Sequence, residues 1–208
     1  MTRLVKTFTL GDISTNCYLL QIGDGNELIA VDPALADPIL EFCSENDWKL
    51  LHILFTHGHY DHLTGAGELV EKTGASLVAG VHEQKWFTDP ELNFSSFLSK
   101  PIVLDIDRFL EDGEEFAGLR VIHTPGHTPG GLSFAGSGFV ISGDTLFAES
   151  IGRTDLPGGD YKALIRSIQK KLFTLPDLTL VYPGHGPQTK ILHEKQHNPF
   201  LVGIKGDR

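Results

Sequence analysis

Thr56-His57-Gly58-His59-Tyr60-Asp61-His62 is the stretch on which the reading of this chain turns. It follows directly on the apolar run Leu51 to Phe55, whose pattern predicts a buried strand. In extended backbone, residues two apart project to one side, so His57 and His59 can reach the same ion. The turn that opens the next helix aims Asp61 and His62 at a neighbouring point, and Gly58 leaves room for close approach. Imidazole nitrogens and a carboxylate oxygen suit a borderline cation such as zinc, and they also suit iron or manganese. A polar loop with incidental histidines is the bland alternative. It is disfavoured because only 10 of 208 residues are histidine, yet three of them stand within six positions beside an aspartate.

Three further positions are placed to complete such a site, each just past a β-type run and next to glycine or proline. His127 lies in the segment His123 to Gly130 after the run Gly118 to Ile122, Asp144 follows Phe139 to Ser142, and His185 follows Leu178 to Tyr182. Taken singly, each reads as a structural histidine or a turn aspartate. Their joint occurrence with the cluster is what makes them candidate ligands.

The chain of 208 residues fits one large domain, and its 17 basic against 27 acidic residues give a net charge of −10. That balance argues against a nucleic-acid partner, as does the lack of a basic, aromatic-studded patch. No apolar run is long enough to span a bilayer and Met1 to Leu10 alternates apolar with polar residues, so no membrane association and a cytoplasmic location are expected. Cys17 and Cys43 are far apart without a redox or zinc-knuckle spacing; buried thiols are the favoured reading and a disulfide the other.

Strand-type runs at Leu4 to Leu10, Cys17 to Ile22 and Glu27 to Val31 precede a helix at Asp37 to Asn46, with Asp37 placed to cap and Pro38 at the first helical position. Beyond the histidine loop, helices are predicted at Leu63 to Lys72 and Val81 to Phe87, with a strand at Ser76 to Ala79 between them. Asp89 to Lys100 has no clean period and reads as a covering loop. Strands follow at Arg108 to Leu110, Gly118 to His123, Gly131 to Phe134, Phe139 to Ser142 and Leu178 to Tyr182, with helices near Asp160 to Phe173 and Thr189 to Gln196. The order suits an α/β protein with two sheets packed face to face and helices outside.

These residues resemble the metallo-β-lactamase superfamily, whose H-x-H-x-D-H hallmark stands at His57 to His62. The likeness also takes in Asn16-Cys17-Tyr18, Val31-Asp32-Pro33, the HTPGHT segment at His123 to Thr128, SGDTLF at Ser142 to Phe147 and PGHGP at Pro183 to Pro187. It implies a four-layer αββα sandwich, with one metal on His57, His59 and His127, a second on Asp61, His62 and His185, and Asp144 bridging them. His123 matches a structural position, and His52, His82, His193 and His197 match no motif. Within the superfamily the chain is similar to the glyoxalase II-like group, the hydroxyacylglutathione hydrolases and their short bacterial relatives, on Gly152-Arg153-Thr154-Asp155 and Asn198-Pro199-Phe200. It departs from full-length glyoxalase II in ending at Arg208 without their helical C-terminal domain, so a single domain over 1–208 is expected. It also has Pro187 where they carry a tyrosine and Arg153 where they place a substrate-facing lysine.

The resemblance implies a hydrolase with two divalent ions, zinc or else iron or manganese, that cleaves a small-molecule thioester such as an S-2-hydroxyacylglutathione. Two ions of this kind lower the pKa of a shared water and polarise a carbonyl. Asp61 would orient the nucleophile, Asp144 would tie the ions together, and Arg153 would meet substrate. Thiolate leaves without much protonation, which fits a site with no separate general acid. Two rivals stand beside this reading. One is a lactone or other ester hydrolase of the same fold. The other is a sulfur dioxygenase with one iron on residues matching His57, His127 and Asp144, against which His185 in Pro-Gly-His-Gly weighs.

Overall fold

The computed structural model describes residues 2–202, so Met1 and residues 203–208, the ends of the expected 1–208 domain, lie outside the described residues. Two six-stranded sheets carry the fold. The first runs in chain order: β1 (Arg3–Leu10), β2 (Thr15–Gln21), β3 (Glu27–Val31), β4 (Lys49–Leu54), β5 (Ser76–Gly80) and β6 (Arg108–Leu110). The second contains β7 (Glu115–Phe116), β8 (Leu119–His123), β9 (Leu132–Gly136) and β10 (Phe139–Gly143). After a small hairpin of β11 (Leu146–Phe147) and β12 (Ser150–Ile151), that sheet is completed beside β10 by β13 (Leu180–Pro183) and β14 (Thr189–Lys190).

Alternation along the strands sorts the apolar side chains into three layers, because successive residues point to opposite faces. From β2, Cys17 and Leu19 face outward to join Ile39, Cys43, Ala66 and Leu69 of the helices α1 (Asp37–Glu45) and α3 (Ala66–Thr73). Tyr18 and Leu20 of the same strand face inward with Ile29, Val31 and Leu54, and meet Val121, Phe134 and Ile141 of the second sheet. On the far side, Ile122, Val140 and Val181 pack under Leu164, Ile165 and Ile168 of α5 (Tyr161–Lys170) and Ile191 of α6 (Ile191–His197). The result is the four-layer αββα sandwich. Cys17 and Cys43 are both free and buried, and no described helix is long and apolar enough to cross a membrane.

Three expectations need correction. Asp37 does not cap α1: the helix begins at Asp37 itself, the N-cap is Ala36, and no side-chain cap bond is made. The helix expected over Leu63 to Lys72 is two helices, α2 (Tyr60–Leu63) and α3. They part at Thr64 and Gly65, where the Gly65 N–H donates to the carbonyl of Pro33 at 2.8 Å instead of continuing the first helix. The segment Val81 to Phe87 is likewise divided, into a 3-10 turn over Val81–Glu83 and α4 (Gln84–Thr88).

The topology gathers strand ends at one edge. Parallel pairing of β3 with β4 and of β10 with β13 puts the C-terminal ends of those strands together, and β2, running the other way, brings Thr15 to the same edge. The sheets are tied there: Asn16 N–H donates to Gly184 O at 2.7 Å, Tyr18 hydroxyl to Pro183 O at 2.6 Å, and Leu132 N–H to Thr56 O at 2.7 Å.

Candidate metal centre

The loop after β4 supplies His57 and His59, α2 directly behind it supplies Asp61 and His62, and the loops after β8, β10 and β13 supply His127, Asp144 and His185. All seven side chains converge. His59 Nδ1 lies 3.1 Å from His57 Nε2 and 2.9 Å from His127 Nε2. One nitrogen carries at most one proton and cannot bond to both neighbours, so lone pairs must face one another. Ligands about 2.0 Å from a tetrahedral zinc stand about 3.3 Å apart, close to this spacing. A second group forms around Asp61 Oδ2, which lies 3.1 Å from His62 Nε2 and 3.3 Å from His185 Nε2.

Asp144 stands between the groups. Its Oδ2 is 3.5 Å from His127 Nε2 and 3.6 Å from His185 Nε2, while Oδ1 is 3.6 Å from His62 Nε2. Asp144 Oδ1 and His62 Nε2 are buried without a hydrogen-bond partner, a costly state that a cation between them would relieve. The residues fit two metal ions. The backbone has been shaped for this approach: a Cβ at Gly184 would collide with Asp144 Oδ1, and one at Gly58 with the Cβ of Trp86.

Ring orientation is set from behind. The Thr56 hydroxyl donates to Asp32 Oδ2 at 2.6 Å and therefore accepts from His57 Nδ1 at 3.1 Å, which leaves the Nε2 lone pair pointing into the cluster. His127 Nδ1 donates to Arg153 O at 2.8 Å with the same consequence. Asp32 also accepts the Thr56 N–H at 2.8 Å and lies 2.9 Å from His62 Nδ1, near enough for an ion pair although not aligned as a hydrogen bond. It holds a left-handed φ of 53°, a conformation that aspartate adopts more readily than most non-glycine residues. Thr15 hydroxyl donates to Asp61 Oδ2 at 2.9 Å.

The two groups differ in charge. Burial pushes His57 far down and His59 to about 3, helped by the other histidines, so both rings are neutral. Burial opposes charge on His62 too, but Asp61, Asp32 and Asp144 outweigh it and raise its pKa. The Asp61 carboxyl, against the effect of its own burial, is held far below the usual range by His62 and His185.

Sequence reasoning missed four supporting residues: Thr15, Asp32, Thr56 and Glu83. Glu83 is fully buried, accepts the N–H of Gly58 at 3.0 Å and that of Gly130 at 2.8 Å, and so joins the loops bearing His57 and His127. Burial lifts its carboxyl to about 7 against those two donors. Asp32 had a signal, since it stands in the quoted Val31-Asp32-Pro33 motif; for Glu83 none was available. The histidines outside the cluster do other work: His123 bonds Pro129 O at 2.9 Å, His52 bonds Ser76 Oγ at 2.6 Å, and His193 pairs with Glu149 at 2.9 Å.

A cavity of about 630 Å³ opens over the cluster. The segment Asp89 to Lys100 does cover it, as expected: Phe94 sets its ring 5.3 Å from His59, and Phe97 packs edge-on to Tyr60 at 5.1 Å. Phe94 holds a φ of 60°, which for a bulky residue costs about 1–3 kcal/mol. Its buried neighbour Asn93 enforces this by donating to Trp86 O and Ile102 O and accepting from Ser95 N–H. Arg153 lines the cavity but is held by Asp155, with both nitrogens of its fork bonded at 2.8 and 2.7 Å.

Fold and cluster together define a protein of the metallo-β-lactamase class, and comparison with known proteins agrees: the chain belongs to the metallo-β-lactamase superfamily, whose family profile matches residues 10–185. Among its relatives is the probable metallo-hydrolase YqgX of Bacillus subtilis, 40% identical over 96% of this chain and 98% of that protein. The hydroxyacylglutathione hydrolase GloC of Haemophilus influenzae is 34% identical over 89% of this chain and 92% of its own length. Among solved structures, the BLEG-1 B3 metallo-β-lactamase superposes with a TM-score of 0.88 at 38% identity, covering 98% of this chain and all of that one. The protein TTHA1623 in a di-iron-bound form gives 0.86 at 35%, covering 95% and 100%.

Proposed function

We propose that the chain is a dinuclear metal-dependent hydrolase that cleaves a small-molecule thioester to an acid and a thiol. The observation that carries this reading is the position of Asp144, within 3.6 Å of ligand nitrogens from both groups. The likeness to GloC supports the thioester, and the di-iron form of TTHA1623 supports two ions while leaving iron beside zinc as the metal.

His57, His59 and His127 would hold one ion, Asp61, His62 and His185 the other, and Asp144 would join both. When bound, the ions supply a water ionised near neutral pH and a Lewis acid for the carbonyl oxygen. The chain's own residues do the positioning. Thr15, His62 and His185 all engage Asp61 Oδ2, which leaves Oδ1 to accept a proton from a water at the cavity floor and orient it toward substrate. Asp32 and Thr56 keep His57 and His62 from rotating, and the Phe94 wall keeps bulk water from the cluster. A thiolate departs without a proton donor.

The test combines metal analysis with hydrolysis of S-lactoylglutathione, simple thioesters, lactones and a β-lactam. About two ions per chain and turnover of a thioester are expected. One ion with full activity rejects the dinuclear site, and turnover of a lactone or β-lactam alone rejects the thioester. The mononuclear iron alternative needs only His57, His127 and Asp144 and gives Asp61, His62 and His185 no role; oxygen uptake with a persulfide would establish it instead.

A further inference from the structure

We infer that the cavity selects thioesters that are uncharged and carry an aromatic or branched aliphatic group, and discriminates against thioesters of an anionic thiol such as glutathione. This rests on the hydrolase reading for the reaction but on separate residues for the selection. Over the cluster the walls are Ile13, Tyr60, Phe94, Phe97, Phe147 and Leu156. Two of these stay exposed, Phe97 at 67% and Ile13 at 50%, although such side chains lose free energy in water. Exposed apolar surface at the mouth of a cavity is the usual mark of a surface that a ligand covers. Phe94 is held in its unfavourable backbone conformation by the buried Asn93, so the aromatic wall is built into place over His59 and is not a side chain that drifted there.

A glutathione thioester carries two carboxylates and needs basic partners for them. Among the described residues, Arg153 is the one lysine or arginine lining this cavity, and its guanidinium is engaged in a two-pronged ion pair with Asp155. That pair is exposed and uses two of the five guanidinium N–H groups, so Asp155 offsets the charge that Arg153 offers a substrate carboxylate while leaving its other donors open. The chain as a whole is at −10, so the far field repels an anion. Neutral apolar substrates meet neither penalty.

Binding and turnover are measured in parallel on the metal-loaded protein. Calorimetry compares two non-hydrolysable thioethers, S-benzyl-N-acetylcysteamine and S-methylglutathione. Kinetics compare S-phenylacetyl-N-acetylcysteamine with S-lactoylglutathione. The benzyl thioether is expected to bind, and the phenylacetyl thioester to turn over, with at least about a tenfold preference over the glutathione counterpart. Phe97→Ala, a change at an exposed ring, is expected to weaken the benzyl ligand about tenfold and leave S-methylglutathione unaltered. Asp155→Asn frees Arg153 and is expected to narrow the preference by raising affinity for the glutathione ligand. Equal or tighter binding of S-methylglutathione, no binding of the benzyl thioether, or equal loss of both ligands in Phe97→Ala overturns the inference. Hydrolysis with S-lactoylglutathione preferred would overturn it while keeping the hydrolase reading. Selective binding without hydrolysis of either thioester would do the reverse.

Discussion

The two halves of the metal centre are built on different principles. His57, His59 and His127 form a group of neutral rings whose imidazoles burial drives away from protonation. Asp61, His62 and His185 form a charged group in which carboxylates raise the histidines. The first group is the more buried, with His57 at 2% and His59 and His127, which reach the cavity, at 5%, whereas the His185 side chain of the second is 26% exposed at the cavity floor. A neutral nitrogen triad holds a cation by directed lone pairs and geometry; a group containing a carboxylate adds charge attraction and tolerates a looser fit. The closed group is thus suited to permanent occupancy, and the open one to meeting water and substrate.

Asp144→Ala should break this comparison altogether, because it removes the carboxylate that lies within 3.6 Å of nitrogens from both groups. On the proposed assignment, bound metal falls from about two ions to one or fewer and thioester turnover drops by roughly a thousandfold or more, the scale on which hydrolytic metal sites act. Circular dichroism should stay close to wild type, since Asp144 lies outside the three apolar layers. Full metal content in that variant would remove the bridging role.

His185→Ala sharpens the comparison by unloading one side. Its expected product is a protein with about one ion, retained on His57, His59 and His127, and activity reduced by a smaller factor than in Asp144→Ala. The paired variant His59→Ala should lose its own ion and disturb the second as well, because His59 is the N-cap of α2, which carries Asp61 and His62. Stoichiometry by elemental analysis decides this. Loss of both ions in His185→Ala, with one kept in His59→Ala, would invert the order of the two groups.

A fourth variant probes the partner that both groups share behind the cluster. Asp32→Asn keeps the shape but replaces an acceptor oxygen by a donor where both Thr56 hydroxyl and His62 Nδ1 point. Support of this kind is worth about 10–100-fold in metal affinity or activity. Chelator competition should show the weaker affinity in both groups. A change confined to His62's side would mean that Thr56 orients His57 without help from Asp32.

Four of the seven candidate ligands were legible because they crowd into six positions after an apolar strand. His127, Asp144 and His185 were legible by a weaker rule, a polar residue just past a strand end beside glycine or proline. The four layers could be read from the alternation of β2, where Tyr18 and Leu20 alternate with Cys17 and Leu19. What the sequence hid was everything that depends on approach between distant segments. The break of the helix after Leu63 follows from a carbonyl at Pro33, thirty-odd residues earlier, which no local pattern records. Arg153 was read as a free charge near substrate because its neighbour Asp155, two positions away, carried no sign of the rotamers that bring the two together. Thr15 reads as an ordinary strand residue until β2 delivers it to Asp61.

Glu83 shows the same dependence and gives the smallest effect on chemistry, though not on stability. It belongs to neither group, yet its two oxygens take the N–H of Gly58, inside the first sheet's ligand loop, and of Gly130, three residues past His127 in the second sheet's. Glu83→Ala leaves both buried donors without an acceptor, at about 1–3 kcal/mol each. Denaturant unfolding of the variant should register that loss. Glu83→Gln keeps one acceptor oxygen and should recover roughly half of it. Because His57, His59 and His127 belong to the two loops that Glu83 joins, metal affinity should fall most on the closed group, with a smaller loss on Asp61, His62 and His185 through the contiguous segment His57 to His62. If both groups weaken equally, the brace acts on the whole edge of the sandwich and the independence of the two halves is lost; if neither weakens while stability falls, the loops hold their ligands without it.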